Sequence, residues 1–177
     1  MSTTTPADLT VWRRLQDAGQ ATPWPPGVRM LADGEHPAVL NTVGLTVEGL
    51  ADPDAAARAR AVAETAALVR WVVENDDEHV AFGYWRGPDD LPLDDAPVVA
   101  LDADGQFEML RGSTLSEALT DEYGQWSHAD YTALVTECRS QGVAISADDP
   151  DDLVEPEVSP TPAAHLAVRY EALRTPS

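Results

Sequence analysis

The sequence predicts an α+β fold, an antiparallel sheet flanked by helices, with a C-terminal helix after an acidic linker. Three observations carry that prediction. Ala55, Ala59, Val62, Ala66, Val69 and Val73 recur at steps of four, four, three, four and three, the stripe of one long amphipathic helix. His79 to Arg86 sets Val80, Phe82 and Tyr84 against Ala81, Gly83 and Trp85, the two-residue period of a strand. Val98–Asp102 and Gln106–Leu110 flank Ala103-Asp104-Gly105, whose Asp-Gly step is a hairpin signal, so the pairing is expected to be antiparallel.

The elements follow in chain order. Pro6 to Ala18 reads as a short helix, with Asp8 near its positive end and Trp12 and Leu15 on one face. Thr22 to Pro37 is dense in proline and glycine and reads as an ordered loop pinned by Trp24. Val39 to Val47 is apolar and β-branched and reads as a strand. Asp52 caps the long helix, Pro53 opens it, and Arg60–Glu64 and Arg70–Glu74 are pairs four apart on its outer faces. After the strand at 79–86, Gly87 to Pro97 is an acidic loop leading into the hairpin. Thr114-Leu115-Ser116-Glu117 is a capping box, and Ser127 caps a helix carrying Tyr131, Leu134, Val135 and Cys138. Residues 1–145 thus form one domain. Residues 146–161 are a solvated linker with six acids and four prolines from Asp148 to Pro162, counting Pro162 itself. Residues 162–177 are a last helix with Ala163, Leu166, Ala167, Tyr170 and Leu173 on one side, docked on the domain because so short a helix is marginal alone.

Composition then narrows function. The 177 residues hold 11 bases, all arginine, against 31 acids, for a net charge of -20. Such a surface repels nucleic acid and anionic membranes, whereas a basic protein is a suitable partner. One cysteine, Cys138, excludes a disulfide framework and lies on the apolar side of its helix, so it reads as a core thiol. The first residues carry no secretory pattern and no apolar run reaches the length of a membrane span, so a cytoplasmic location is expected.

No catalytic set emerges. His36, His79, His128 and His165 are scattered with no metal-ligand spacing, and no metal is expected. Asp102-Ala103-Asp104-Gly105 superficially matches a calcium loop, but Arg111 stands where the closing glutamate belongs, so the hairpin reading prevails. There is no nucleophile elbow, phosphate loop or dinucleotide fingerprint, and no cofactor is expected. The acidic pairs Asp89-Asp90, Asp94-Asp95 and Asp148-Asp149 lie among other carboxylates and read as solvated charge.

A surface stands out instead. From Glu74 to Asp95 there are eight acids (among them Glu78, Asp89, Asp90, Asp94 and Asp95) and one base, Arg86, around Tyr84 and Trp85. Two readings fit. In one, an aromatic of this pair anchors a basic protein while the carboxylates steer its approach. In the other, Tyr84 and Trp85 are core residues on two covered faces of the sheet and the acids confer solubility.

The stretch His79–Trp85, the run Pro97-Val98-Val99-Ala100-Leu101-Asp102-Ala103-Asp104-Gly105-Gln106-Phe107 and the following Ser113–Leu119 resemble the core of the SUKH superfamily. That superfamily includes the yeast cell-wall assembly regulator and many bacterial immunity proteins. The resemblance implies a curved antiparallel sheet flanked by helices, no catalytic residues and a sheet-side groove that binds another protein. It also implies a partner that in bacterial members is a toxin domain, blocked by occlusion. The expectation is therefore a non-enzymatic binding protein with Tyr84 and Trp85 as anchor. A scaffold module with an endogenous partner, a small enzyme using a buried carboxylate or His79, and a domain that only oligomerises are the alternatives.

Overall fold

The computed structural model describes residues 6–43, 51–124 and 127–174. Helix α1 (Ala7–Asp17) is followed by β1 (Val28–Met30), a 3-10 turn (Ala38–Asn41) and α2 (Pro53–Ala66). The strands β2 (Val69–Asn75), β3 (Val80–Trp85), β4 (Val98–Leu101) and β5 (Phe107–Met109) come next. The chain continues through α3 (Leu115–Gly124), α4 (His128–Ser140), a 3-10 turn (Pro150–Asp152) and α5 (Pro162–Arg174). The five strands form one sheet in the order β1-β2-β3-β4-β5, every neighbouring pair antiparallel, so the fold is α+β.

Both faces of the sheet are covered. On one, Phe82, Tyr84, Val98 and Ala100 pack against Leu9 and Trp12 of α1, Leu115 and Leu119 of α3, and Tyr131 and Val135 of α4. On the other, Ala81, Trp85, Val99 and Leu101 pack against Val62 and Ala66 of α2 and Leu166 of α5. The expected loop anchor is in place, because Trp24 stacks on Trp12 with ring centroids 4.5 Å apart. Trp12 Nε1 in turn donates to Ser116 Oγ at 2.9 Å, and the buried Asp8 carboxylate accepts from the Ser116 amide and hydroxyl. The hairpin and the Asp52 and Ser127 caps also match the sequence reading.

The structure corrects several expectations. The long helix stops at Ala66, and Val69 to Val73 belong to β2. Four β-branched or aromatic residues in five favour strand there, and Trp71 Nε1 donates to the Ala66 carbonyl at 3.1 Å, satisfying a helix-end acceptor. The Arg70–Glu74 pair therefore does not form: Arg70 bonds Asp33 at 3.0 Å, and Glu74 bonds Arg29 and the Ala38 amide. Arg60–Glu64, within α2, does form at 3.0 Å.

Where a strand was expected at Val39–Val47, Ala38–Asn41 is a 3-10 turn, and residues 44–47 lie outside those described. The amide of Ala38 is taken by Glu74, which fixes a turn against the sheet instead of an added strand. The solvated segment 146–161 is tied to the domain as a strap, since Leu153 is buried and the Val154 carbonyl accepts from the Gly112 amide at 2.8 Å. Helix α5 packs on the α2 side of the sheet through Leu166, with Tyr170 and Leu173 partly covered while Ala163 and Ala167 are exposed. Polar contacts hold it there, Arg169 to Glu64 and Tyr170 to Asp54.

Candidate functional site

Tyr84 and Trp85 are core residues. Tyr84 is 2% exposed on the α1/α3 face, and Trp85 is 0% exposed on the α2/α5 face. Strand alternation sends the two rings to opposite sides, and helices cover both sides. Trp85 Nε1 donates to the Pro160 carbonyl at 3.0 Å, and its ring meets His165 edge-on at 5.8 Å. The strap and α5 thus seal the face on which Trp85 was expected to receive a partner. The expected aromatic anchor is not on the surface.

The acids around it are divided as well. Asp89, Asp90, Asp94 and Asp95 are exposed in the loop joining β3 to β4, at one end of the sheet. Glu78 is exposed in the turn joining β2 to β3, at the other end. About 20 Å of strand separates the two groups, from six residues at the usual rise. Adjacency along the chain does not make them one rim.

Folding gives Glu78 new neighbours. The β4–β5 turn comes to the same end of the sheet, and there Glu78, Asp102, Glu108 and Glu122 line a cleft of about 240 Å³ with Val80, Ala100 and Gln106. The side chains are held from behind. Asn75, buried at the end of β2, donates from Nδ2 to Glu78 Oε2 at 2.9 Å and to the Tyr123 hydroxyl at 3.0 Å. Asp102 Oδ1 accepts from the Asp104 and Gln106 amides at 3.0 and 2.8 Å, an arrangement that shapes the turn and keeps this carboxylate at the cleft mouth. Glu108 stands opposite Ala100 on the edge strand, and α3 brings in Glu122.

Electrostatically the cleft is strained toward a cation. Burial raises the Glu122 carboxyl above the usual glutamate range, and Glu108, Glu78 and Asp121 add like charge in the same direction. Asp76, Asp77 and Asp104 extend the negative surface at this end, all exposed. A guanidinium or ammonium entering the cleft would meet several carboxylates at once. Reading the sequence found Glu78 but missed Asp102, Glu108 and Glu122 as members of one site. The hairpin register would have set Ala100 opposite Glu108, but nothing local signals that α3 closes the cleft.

The remaining candidates form no second centre. Among the described residues no group of three or more histidine, cysteine or acidic side chains is placed to hold a metal ion. His79 is exposed in a turn with φ 54°, and Cys138 is buried, which pushes its thiol up to about 12. No helix among the described residues is long and apolar enough to cross a membrane. No family model, curated protein or solved structure matches the chain.

Proposed function

We propose that this protein is a non-catalytic, cytoplasmic binding domain that neutralises a basic toxin domain by occlusion, as the resemblance to bacterial SUKH immunity proteins implies. The observation that carries the reading is the cleft in which Glu78, Asp102, Glu108 and Glu122 converge on a molecule of net charge -20. A lysine or arginine of the partner enters that cleft, and Asp76, Asp77 and Asp104 steer its approach. Neither nucleic acid nor membrane suits so negative a body. Recognition thus moves from the aromatic pair to the hairpin end of the sheet, and the interface expected is a standard one of roughly 800 Å² per partner.

Co-expression with the protein encoded beside it tests the reading. The expected result is a one-to-one complex whose association slows with added salt, as rim charges act mainly on encounter. Reversing Glu78 and Glu108 to lysine slows association by about tenfold or more, while reversing Asp89 and Asp90 changes it far less. A complex whose on-rate ignores the Glu78 and Glu108 reversals refutes the cleft, and a neighbour that does not bind refutes the immunity reading.

A further inference from the structure

Away from the acidic end, Arg13, Arg14 and Arg70 converge on a cleft of about 660 Å³ between α1 and the start of β2. A chain with 11 arginines against 31 acids has placed three of its bases here, facing only Asp17 and Asp33 among the residues that line the space. Leu9, Val72 and Leu93 give the cleft an apolar side.

The bonding of the arginines is incomplete. A guanidinium fork suits two oxygens at once. Here Arg13 Nη2 and Arg70 Nη2 share a single oxygen, Asp33 Oδ1, at 2.7 and 3.0 Å. Arg13 Nε is enclosed without an acceptor, and Arg14 makes no ion pair among the described residues. The side chain of Asp33 is 71% exposed, so little packing holds the one shared carboxylate in place.

We infer that this cleft binds a small carboxylic acid with an apolar body, its carboxylate replacing Asp33 between Arg13 and Arg70 and its body lying on Leu9, Val72 and Leu93. The internal occupant already has the chemistry of the ligand. Long-range repulsion from a body of net charge -20 grows with ligand charge, which favours a carboxylate monoanion over a phosphate dianion. The volume lies in the range of small-ligand sites. This site is separate from the acidic cleft and stands whether or not a basic partner exists.

The test is an NMR titration of the full chain, following the arginine Nε–Hε signals, with N-acetyl-leucine as probe. N-acetyl-leucinamide is the uncharged control and inorganic phosphate the competing anion. Saturable shifts of Arg13 and Arg70 are expected with the acid at a Kd on the order of 1 mM, and none with the amide. Asp33→Asn removes the internal competitor and should tighten binding by roughly fivefold, while Arg70→Gln and Arg13→Gln each abolish saturation. The gain of affinity in Asp33→Asn keeps the test sound even if an arginine variant folds poorly. The proposal is overturned if the acid gives no saturable shift, if the amide binds as well, if phosphate saturates the site in place of the acid, or if Asp33→Asn fails to tighten binding.

Discussion

Replacing Glu117 by glutamine should destabilise the protein far more than an isosteric change suggests. Glu117 is buried on α3, and each of its oxygens accepts from a whole residue. Oε2 takes the Ser113 amide at 2.9 Å and the Ser113 hydroxyl at 2.7 Å, while Oε1 takes the Ser146 amide at 2.9 Å and the Ser146 hydroxyl. The carboxylate therefore ties the entry of α3 to the segment that follows α4. Glutamine turns one oxygen into an NH2 group. The serine hydroxyl on that side can rotate to accept, but the amide cannot, so one backbone N–H facing the buried side chain loses its partner. One charge-assisted hydrogen bond lost and one weakened put the cost at about 3 kcal/mol.

Urea unfolding followed by tryptophan fluorescence reads this directly. At a slope near ~2 kcal/mol/M, the midpoint should fall by roughly 1.5 M at pH 7. The gap should also depend on pH. Burial opposes ionisation of Glu117, but the four serine donors outweigh it and hold the carboxyl below its usual range. A depressed acid stabilises fully above its unfolded pKa and loses that contribution as pH falls through the folded value. The difference between wild type and Glu117→Gln should therefore shrink below about pH 4.5. A gap under ~0.5 kcal/mol at pH 7, or one that stays constant with pH, would show that the network is not what holds these two segments together.

Glu122→Gln should act with the opposite sign: its raised carboxyl binds extra protons in the folded state, so stability falls as pH rises through that window, and the variant should gain about 1 kcal/mol above it. Equal unfolding midpoints at pH 7 would count against like-charge strain in the cleft. His165, whose Nδ1 lies 3.0 Å from the buried Thr65 hydroxyl, is depressed by burial and then by Arg169, with Glu64 opposing. Neutral His165 thus favours the docked α5, and stability should fall as pH drops from about 6.5 through its folded value; an NMR-titrated pKa at or above 6.5 would contradict this. Gly83→Ala should cost about 2–3 kcal/mol in the same urea assay, because a Cβ there would lie 2.6 Å from the Arg70 carbonyl oxygen and 2.7 Å from Val69 Cγ1. A change within 0.5 kcal/mol would mean that β2 yields easily at its bulge.

What the sequence made legible was short-range. The Asp104-Gly105 turn, the alternation of 80–85 and the caps at Asp52 and Ser127 each depend on residues within a few positions of one another. The boundary between α2 and β2 was hidden because Val69 and Val73 continue the helical stripe by coincidence; the β-branched run was the better guide. Strand β1 was missed because three residues in a proline-rich loop carry too little pattern, and Val28–Met30 become a strand only through pairing with Val73–Asn75. Alternation correctly put Tyr84 and Trp85 on opposite faces. That both faces are covered depends on α5 returning across the sheet, a contact between residues far apart in the chain. The same limit applies to the site, since Glu78, Asp102, Glu108 and Glu122 come from two turns, an edge strand and a helix.

Glu122 differs in kind from the acids that merely decorate the surface. Glu74 is bonded by Arg29, and Glu117 accepts from four donors that lower its pKa. Glu122 is shifted the other way. Exposed acids are screened within ~8 Å at physiological salt, but a half-buried one facing its own kind is screened much less. A cation from a partner would reverse that shift, so binding must release protons wherever the pH lies between the bound and free values for Glu122. Affinity should rise with pH through that window and the release should vanish in Glu122→Gln. Calorimetry of the complex in two buffers of different ionisation heat measures the release. A complex that forms with no proton release as the pH rises through the Glu122 transition would mean that the partner's positive charge does not enter the cleft.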